Sequence, residues 1–161
     1  MAEYVLVGKG RKIIPSTFKK LEDELGFALP VEYKAFISNF NGGKPGEGMP
    51  CKFWVQKSSG WQESVEFFYG VSLTKRHSYL PDVWRSNLDF MPRQLLPFAF
   101  TLTDDLLSLG LSSCIQGRVF FSSSVKIPFA LTPLSTDAGI LADKGTIQVA
   151  RNFQEFLDNL M

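Results

Sequence analysis

The sequence contains few of the residues that build metal or redox centres. Its 161 residues include one histidine, His77, and two cysteines, Cys51 and Cys114. The cysteines lie far apart without a C-x-x-C spacing, which predicts two reduced, mostly buried thiols. A structural zinc site needs about four ligands, so two cysteines and one histidine fall short unless a carboxylate joins them. We therefore expect no metal site and no other cofactor.

Long hydrophobic runs are also missing. No segment approaches the roughly 18 apolar residues that are needed to span a bilayer. Residues 1–4 show no basic segment leading into an apolar one, as a secretory signal would. These absences predict a cytoplasmic protein with no membrane partner.

Neither sign of charge is in excess. Lysine and arginine total 17, aspartate and glutamate total 16, and the net charge is +1. A nucleic-acid-binding domain usually carries a strong basic excess, so we expect no direct nucleic-acid partner. The same balance argues against an acidic mimic of nucleic acid.

Catalytic patterns are weak. His77 could pair with either cysteine as a nucleophile and base, but it lies beside Lys75 and Arg76, which favours a solvated basic turn. The adjacent carboxylates Asp104 and Asp105 could suggest acid–base catalysis, which requires a defined gap between the two groups. Neighbours on a loop usually point apart and stay hydrated, so a surface turn or a partner-facing acidic spot is the better interpretation. We predict that the chain is not an enzyme; dispersed catalytic residues around His77, Cys51 or Asp104 are the competing hypothesis.

Apolar residues, by contrast, are plentiful. They make up 45% of the chain, and 15 of them are phenylalanine. A chain of this length fits one domain, residues 1–161, that buries roughly two-thirds of its unfolded surface. Because aromatic side chains bury large areas, we expect a dense aromatic core.

Helical spacing of apolar residues predicts four helices. The first follows Pro15 with Ser16 as its N-cap and ends at Gly26. The second starts at Leu29-Pro30 and runs to residues 41–43. The third starts at Leu80-Pro81, points Val83, Trp84 and Leu88 inward, and is ended by Pro92. The last is capped by Asn152, with Glu155 completing a capping box.

Short apolar segments predict the strands. They cover residues 5–7, 53–55, 65–69, 95–100, 106–111, 118–121, 127–131 and 146–149. The segment 127–131 is expected at a sheet edge, because Pro128 cannot donate to a central ladder. Gln116-Gly117 is expected to turn a hairpin. Strands and helices are segregated along the chain, so we predict a single α+β domain with a mainly antiparallel or mixed sheet packed against about four helices.

Several short motifs resemble the SUKH superfamily, which contains bacterial immunity proteins and fungal regulators of cell-wall synthesis. The opening block carries most of them: Leu21-Glu22, Leu25-Gly26, Leu29-Pro30, Tyr33-Lys34, Phe36-Ile37 and Asn41-Gly42-Gly43. Residues 96–99 and 149–157 resemble the family's mid-chain strand and closing helix. The sequence departs from the family at residues 106–109, where Leu-Leu-Ser-Leu replaces the usual glycines after Thr103-Asp104-Asp105.

The resemblance implies an immunity-type binding protein. Such a protein neutralises a cognate secreted or contact-delivered toxin domain by direct occlusion, as a monomer or weak homodimer. The alternative is a non-catalytic regulatory or scaffold protein of the cell-wall-regulator type. The fungal members carry long disordered extensions, and this sequence shows none, which favours the immunity hypothesis.

Residues 47–69 are the strongest candidate for a partner-binding segment. Its tryptophans and acidic residues alternate, and these are the types that anchor interfaces and steer basic partners. Side chains alternate between the two faces of a strand, so about half of such rings are expected to face the core. Core packing is therefore the alternative interpretation of each ring. The candidate partner-binding residues are Glu47, Trp54, Trp61, Glu63, Glu66, Asp104 and Asp105.

Overall fold

A computed structural model describes residues 4–71, 79–123 and 146–161. Within these residues the chain forms four α-helices and eight β-strands. The helices are α1 (Pro15–Leu25), α2 (Val31–Asn39), α3 (Leu80–Asn87) and α4 (Phe153–Asp158). The strands are β1 (Leu6–Val7), β2 (Lys44–Pro45), β3 (Lys52–Gln56), β4 (Trp61–Phe68), β5 (Leu95–Thr101), β6 (Leu106–Gly110), β7 (Val119–Ser122) and β8 (Thr146–Ala150).

The main sheet is an antiparallel meander. Its strands lie in the order β3-β4-β5-β6-β7-β8, and every described pair is antiparallel. Strands β1 and β2 form a separate antiparallel pair. The predicted α+β class is confirmed, with the described strands antiparallel throughout.

The sheet curls around one face. Phe53 on β3 contacts Phe121 on β7 with ring centroids 6.4 Å apart, although three strands separate them in the sheet order. Register shifts interrupt several strand pairs, including the β3–β4 and β4–β5 pairs. Irregularities of this kind increase the twist and bend of a strand. The two end strands, β3 and β8, are thereby brought towards each other.

Aromatic rings fill the concave face, as predicted. Phe98 on β5 lies 6.0 Å from Tyr33 on α2, and 5.3 and 5.7 Å from Phe153 and Phe156 on α4. Phe36 on α2 contacts Phe153 at 5.2 Å. Edge and tilted pairs of this type stabilise a core by about 0.5–1.5 kcal/mol each beyond their buried area. The sheet is therefore fixed against α2 and α4 by one continuous aromatic cluster.

The predicted ends of α1 and α3 are partly wrong. Ile14, and not Ser16, is the N-cap of α1; Pro15 takes the first helical position, where its missing N–H leaves no bond unmade. Gly26 ends α1 at φ 74°, as predicted. Helix α3 stops at Asn87, well before Pro92. Leu88 lies outside the helix and is 37% exposed, so its predicted inward position is wrong.

The cap of α4 is confirmed with one difference. The Asn152 side chain accepts the Glu155 backbone N–H at 2.8 Å. The Glu155 carboxylate accepts the Arg151 backbone N–H at 2.6 Å, one residue before the position that a capping box predicts.

The hairpin predicted around Gln116-Gly117 is confirmed by the pairing of β6 with β7. The predicted strand at 127–131 and the single histidine, His77, lie outside the described residues.

Candidate partner-binding surfaces

Two hairpins meet at one end of the sheet. The β3–β4 turn and the β5–β6 turn lie side by side there, because β4 and β5 pair antiparallel with Val65 opposite Thr101. Four side chains, two from the start of β4 and two from the β5–β6 turn, form what we call the hairpin-tip cluster: Trp61, Glu63, Thr103 and Asp105. Three of them are predicted candidates, and the structure brings these three together.

Glu63 joins the two hairpins. Its carboxylate accepts the Trp61 indole N–H at 2.9 Å within β4. Its other oxygen lies 3.1 Å from the Thr103 hydroxyl in the β5–β6 turn. Trp61 is 36% exposed and packs edge-on against Phe121, with ring centroids 5.2 Å apart. The ring is thus held in one orientation while part of it stays accessible.

Thr103 lies between two carboxylates. Its hydroxyl is 2.7 Å from the Asp105 carboxylate and 3.1 Å from that of Glu63. A hydroxyl has one proton to donate, so the two carboxylates compete for it. Thr101 extends the network, since its hydroxyl lies 3.0 Å from that of Thr103 and accepts the Asp105 backbone N–H. Hydrogen bonds therefore restrain the side chains of the β5–β6 turn as well as its backbone.

Asp104 and Asp105 point in different directions. Asp105 is only 7% exposed and belongs to the network, so the expectation that it stays hydrated is wrong. Asp104 is exposed and has φ 60°, the left-handed conformation that Asp tolerates better than most residues. The Thr101 N–H donates to the Asp105 carbonyl at 2.9 Å and closes a three-residue loop, in which this position needs a positive φ. The loop thereby fixes the Asp104 carboxylate outside the network.

The remaining acidic candidates lie elsewhere. Glu66 forms an ion pair with Lys44 of β2 at 2.8 Å. Glu47 is exposed in the turn between β2 and β3. Among the described residues, neither glutamate forms a hydrogen bond or an ion pair with the hairpin-tip cluster.

Trp54 lies on a different feature, which we call the C-terminal groove. This cavity of about 550 Å³ is bounded by β3, β8, α4 and residues 160–161. The Met161 N–H donates to the Lys52 carbonyl at 2.8 Å, and the Lys52 N–H donates back at 3.1 Å. The groove carries both signs of charge, with Lys57 and Arg151 facing Glu155 and Asp158. Trp54 is half-buried in its wall.

A smaller cavity was missed at the sequence level. We call it the Asn87 pocket; it has a volume of about 240 Å³ and is lined by Tyr69, Asn87, Phe100, Asp104 and Leu106. Asp104 was predicted as a binding residue for its charge alone. Neither Tyr69 nor Asn87 was predicted as a binding residue, because a single Asn at a helix end and a Tyr at the end of a strand are common structural residues. Burial, with the Asp104 charge nearby, raises the pKa of Tyr69 to about 12.

The thiols show no catalytic arrangement with the described residues. Cys51 is half-buried and Cys114 is exposed, and both are free thiols. Across residues 4–71, 79–123 and 146–161, no group of three or more His, Cys, Asp or Glu side chains could hold a metal ion. None of the helices in these ranges has the length and apolarity to cross a membrane.

Comparison with known families gives one match. Residues 13–159 match the SMI1 / KNR4 family (SUKH-1). A search of curated proteins found no match. The matched span contains all four helices described above, the hairpin-tip cluster and the Asn87 pocket.

Proposed function

Because the chain belongs to the SMI1 / KNR4 family (SUKH-1), we propose that it is an immunity-type protein that binds and neutralises a cognate toxin domain. It acts in the cytoplasm by occlusion: a rigid surface covers the toxin's active site or a face beside it. This mechanism requires shape and charge complementarity and no catalytic group.

The hairpin-tip cluster is the observation that carries this proposal. It combines a partly exposed tryptophan with acidic groups, and the hydrogen bonds through Glu63 hold both hairpins in place. Tryptophan is enriched among the few residues that dominate binding energy. A surface that is already ordered loses little conformational entropy on association, which favours tight binding. These properties support a binding surface at this end of the sheet.

The charge of this end supports a basic partner face. Glu63 and Asp104 lie on adjacent hairpins, and Asp104 is exposed in its turn. Acidic residues at the rim of an interface accelerate association with a basic partner, and salt screens this effect beyond about 10 Å at 0.1 M.

The test is co-expression with the toxin domain that is encoded beside this chain. The unmodified chain should restore growth and form a complex that survives gel filtration. Trp61→Ala should weaken binding by about 2 kcal/mol, roughly thirtyfold, mainly through a faster off-rate. Glu63→Gln keeps the shape and an acceptor for Trp61, so it should mainly slow association at low salt. Glu32→Gln removes the same charge at an exposed residue of α2 that is not a candidate for partner binding, and it serves as the matched control.

Two outcomes would contradict different parts of the proposal. Full protection by folded Trp61→Ala and Glu63→Gln variants, with rates equal to those of Glu32→Gln, would rule out the hairpin-tip cluster. Failure of the unmodified chain to bind or protect against any neighbouring toxin domain would rule out the immunity function. The regulatory scaffold hypothesis would then lead.

A further inference from the structure

The Asn87 pocket has apolar walls made of aromatic rings. The Phe100 ring stacks on Phe67, with centroids 5.7 Å apart and planes inclined by 22°. Tyr69 packs beside Phe100 at 5.6 Å, and Leu106 completes the wall. Phe67 and Phe100 are only partly buried and pack at the margin of the main core. The faces of aromatic rings carry negative charge density, which attracts cations.

Asn87, one of the lining residues, carries an unpaired acceptor beside this pocket. The residue is 7% exposed, and its Nδ2 group donates to the Val83 carbonyl at 2.8 Å, which fixes the orientation of the amide. Its Oδ1 atom is buried and has no hydrogen-bond partner. A buried acceptor without a partner destabilises the fold, so nearly all such atoms in proteins are paired. A donor from a ligand would supply the missing bond.

Asp104 adds a fixed negative charge at the edge of the pocket. Its carboxylate has no recorded ion pair or hydrogen bond with any described residue, and the three-residue loop fixes its backbone. The five lining residues include no Lys or Arg. Among the described residues, the pocket therefore combines one negative charge, one unpaired neutral acceptor and aromatic rings, with no cation in its lining.

We propose that this pocket receives an arginine side chain of the protein partner. A guanidinium is planar, so it can lie against the Phe100 ring while its N–H groups point outward in the same plane. Those groups can reach a carboxylate and a second acceptor together, which a lysine ammonium on its flexible stem does less well. A calcium ion is a poorer fit, because it takes about six to eight oxygen ligands.

This inference rests on the proposed function for the nature of the partner. It names the chemistry that the partner must present: an arginine at the centre of a basic face, next to the surface that meets the hairpin-tip cluster. A free guanidinium compound shares this chemistry, so the experiment has to separate the pocket's preference from its use by a partner.

The first experiment titrates the ¹⁵N-labelled protein with N-acetyl-arginine-N-methylamide and with the lysine analogue. Capped arginine should shift the Asn87 side-chain amide and the Tyr69 and Asp104 backbone amides in a saturable way. It should bind several-fold more tightly than capped lysine. Asp104→Asn should weaken the binding of capped arginine about five- to tenfold, because one charge-assisted hydrogen bond is lost. Asparagine tolerates the left-handed conformation, so the loop should stay folded.

Two further variants separate charge from stacking. Glu32→Gln removes an equal charge at an exposed residue of α2 and should leave capped-arginine binding unchanged. Phe100→Leu keeps an apolar wall but removes the ring, so it should abolish the preference for arginine over lysine. Thermal unfolding of each variant shows whether it is folded before the titrations are compared.

The second experiment measures affinity for the toxin domain. Asp104→Asn should weaken the complex about five- to tenfold, in parallel with the capped amino acid, and Glu32→Gln should not. Equal binding of capped lysine, shifts scattered outside the pocket, or equal effects of Asp104→Asn and Glu32→Gln would overturn the inference. So would normal toxin binding by Asp104→Asn. A chain that takes capped arginine but protects against no toxin would instead contradict the proposed function.

Discussion

Tyr33 carries a hydroxyl that the core leaves unpaired. Its side chain is 1% exposed, and the oxygen has no hydrogen-bond partner. Burial raises the pKa of this phenol well above its usual range, so it stays neutral. Tyr33→Phe removes the unpaired group and keeps the ring contacts with Phe98 and Phe153. We expect the free energy of unfolding in urea to rise by about 1 kcal/mol.

Tyr4→Phe is the matched control. The Tyr4 hydroxyl donates to the Leu157 carbonyl at 2.8 Å, so the same chemical change should cost about 1 kcal/mol there. Destabilisation of both variants by similar amounts would contradict the prediction and indicate a bound water at Tyr33.

Glu22 makes the fold sensitive to acid. Partial burial raises the pKa of its carboxyl, but hydrogen bonds from Lys34 and the Leu29 N–H, together with the Lys34 charge, outweigh this and leave it below the usual value. A lowered folded-state pKa stabilises the protein above the unfolded pKa, and the contribution disappears as pH falls through the folded-state value. Glu22→Gln should therefore cost about 1 kcal/mol above about pH 5.

That difference should shrink towards zero as the buffer becomes more acidic, in urea unfolding curves measured at a series of pH values. Asp23→Asn is the comparison, because its pair with Lys19 is highly exposed and should contribute little at any pH. A Glu22→Gln effect that does not vary with pH would show that the charge is unimportant.

The sequence predicts the types of residue at the binding surfaces better than their directions. Trp61 and Glu63 could be proposed as partner-binding residues because aromatic and acidic residues recur in β4. The register shift between Val65 and Phe67 breaks simple alternation, so the faces of Glu66 and Phe67 could not be derived from a period of two. In the β5–β6 turn Asp104 is exposed and Asp105 is buried. This difference depends on the backbone φ angle of Asp104, which the sequence did not reveal.

The short helix α4 depends on its cap. It has six residues and supplies Phe153 and Phe156 to the aromatic cluster. Isolated helices of this length are unstable, so the Asn152 side chain matters. Asn152→Ala should cost about 1 kcal/mol in urea unfolding, whereas Asn152→Ser keeps an acceptor and should cost less. Equal losses for the two substitutions would show that the cap is not the cause.

Helices were predicted better than their ends. The apolar period places Tyr33, Phe36 and Ile37 on one buried face of α2, and all three are buried. Helix ends depend on single hydrogen bonds, and here α1 starts at Pro15, two positions earlier than an N-cap at Ser16 predicts. The β1–β2 pair could not be expected either, because Lys44-Pro45 lies in a segment with the composition of a loop.

The whole molecule should be insensitive to reductant and chelator. Cys51 and Cys114 are free, and the packed core of residues 4–71, 79–123 and 146–161 has no metal cluster within it. The melting temperature should stay within about 1 °C in excess dithiothreitol or EDTA, since neither reagent removes a covalent or metal cross-link. A fall of several degrees in either reagent would reveal a stabilising bridge or ion.

Met161 pairs with Lys52, and Phe156 contacts Phe53. These parts of the fold can therefore form only after residues 156–161 have been synthesised. Roughly a hundred residues separate Phe53 from Phe156. At about 5–20 residues per second, a ribosome needs some 5–20 seconds to make that stretch. During that interval, the concave face of the nascent sheet lacks the rings that cover it. Until α4 has emerged, the exposed apolar surface of this face therefore favours aggregation of the newborn chain.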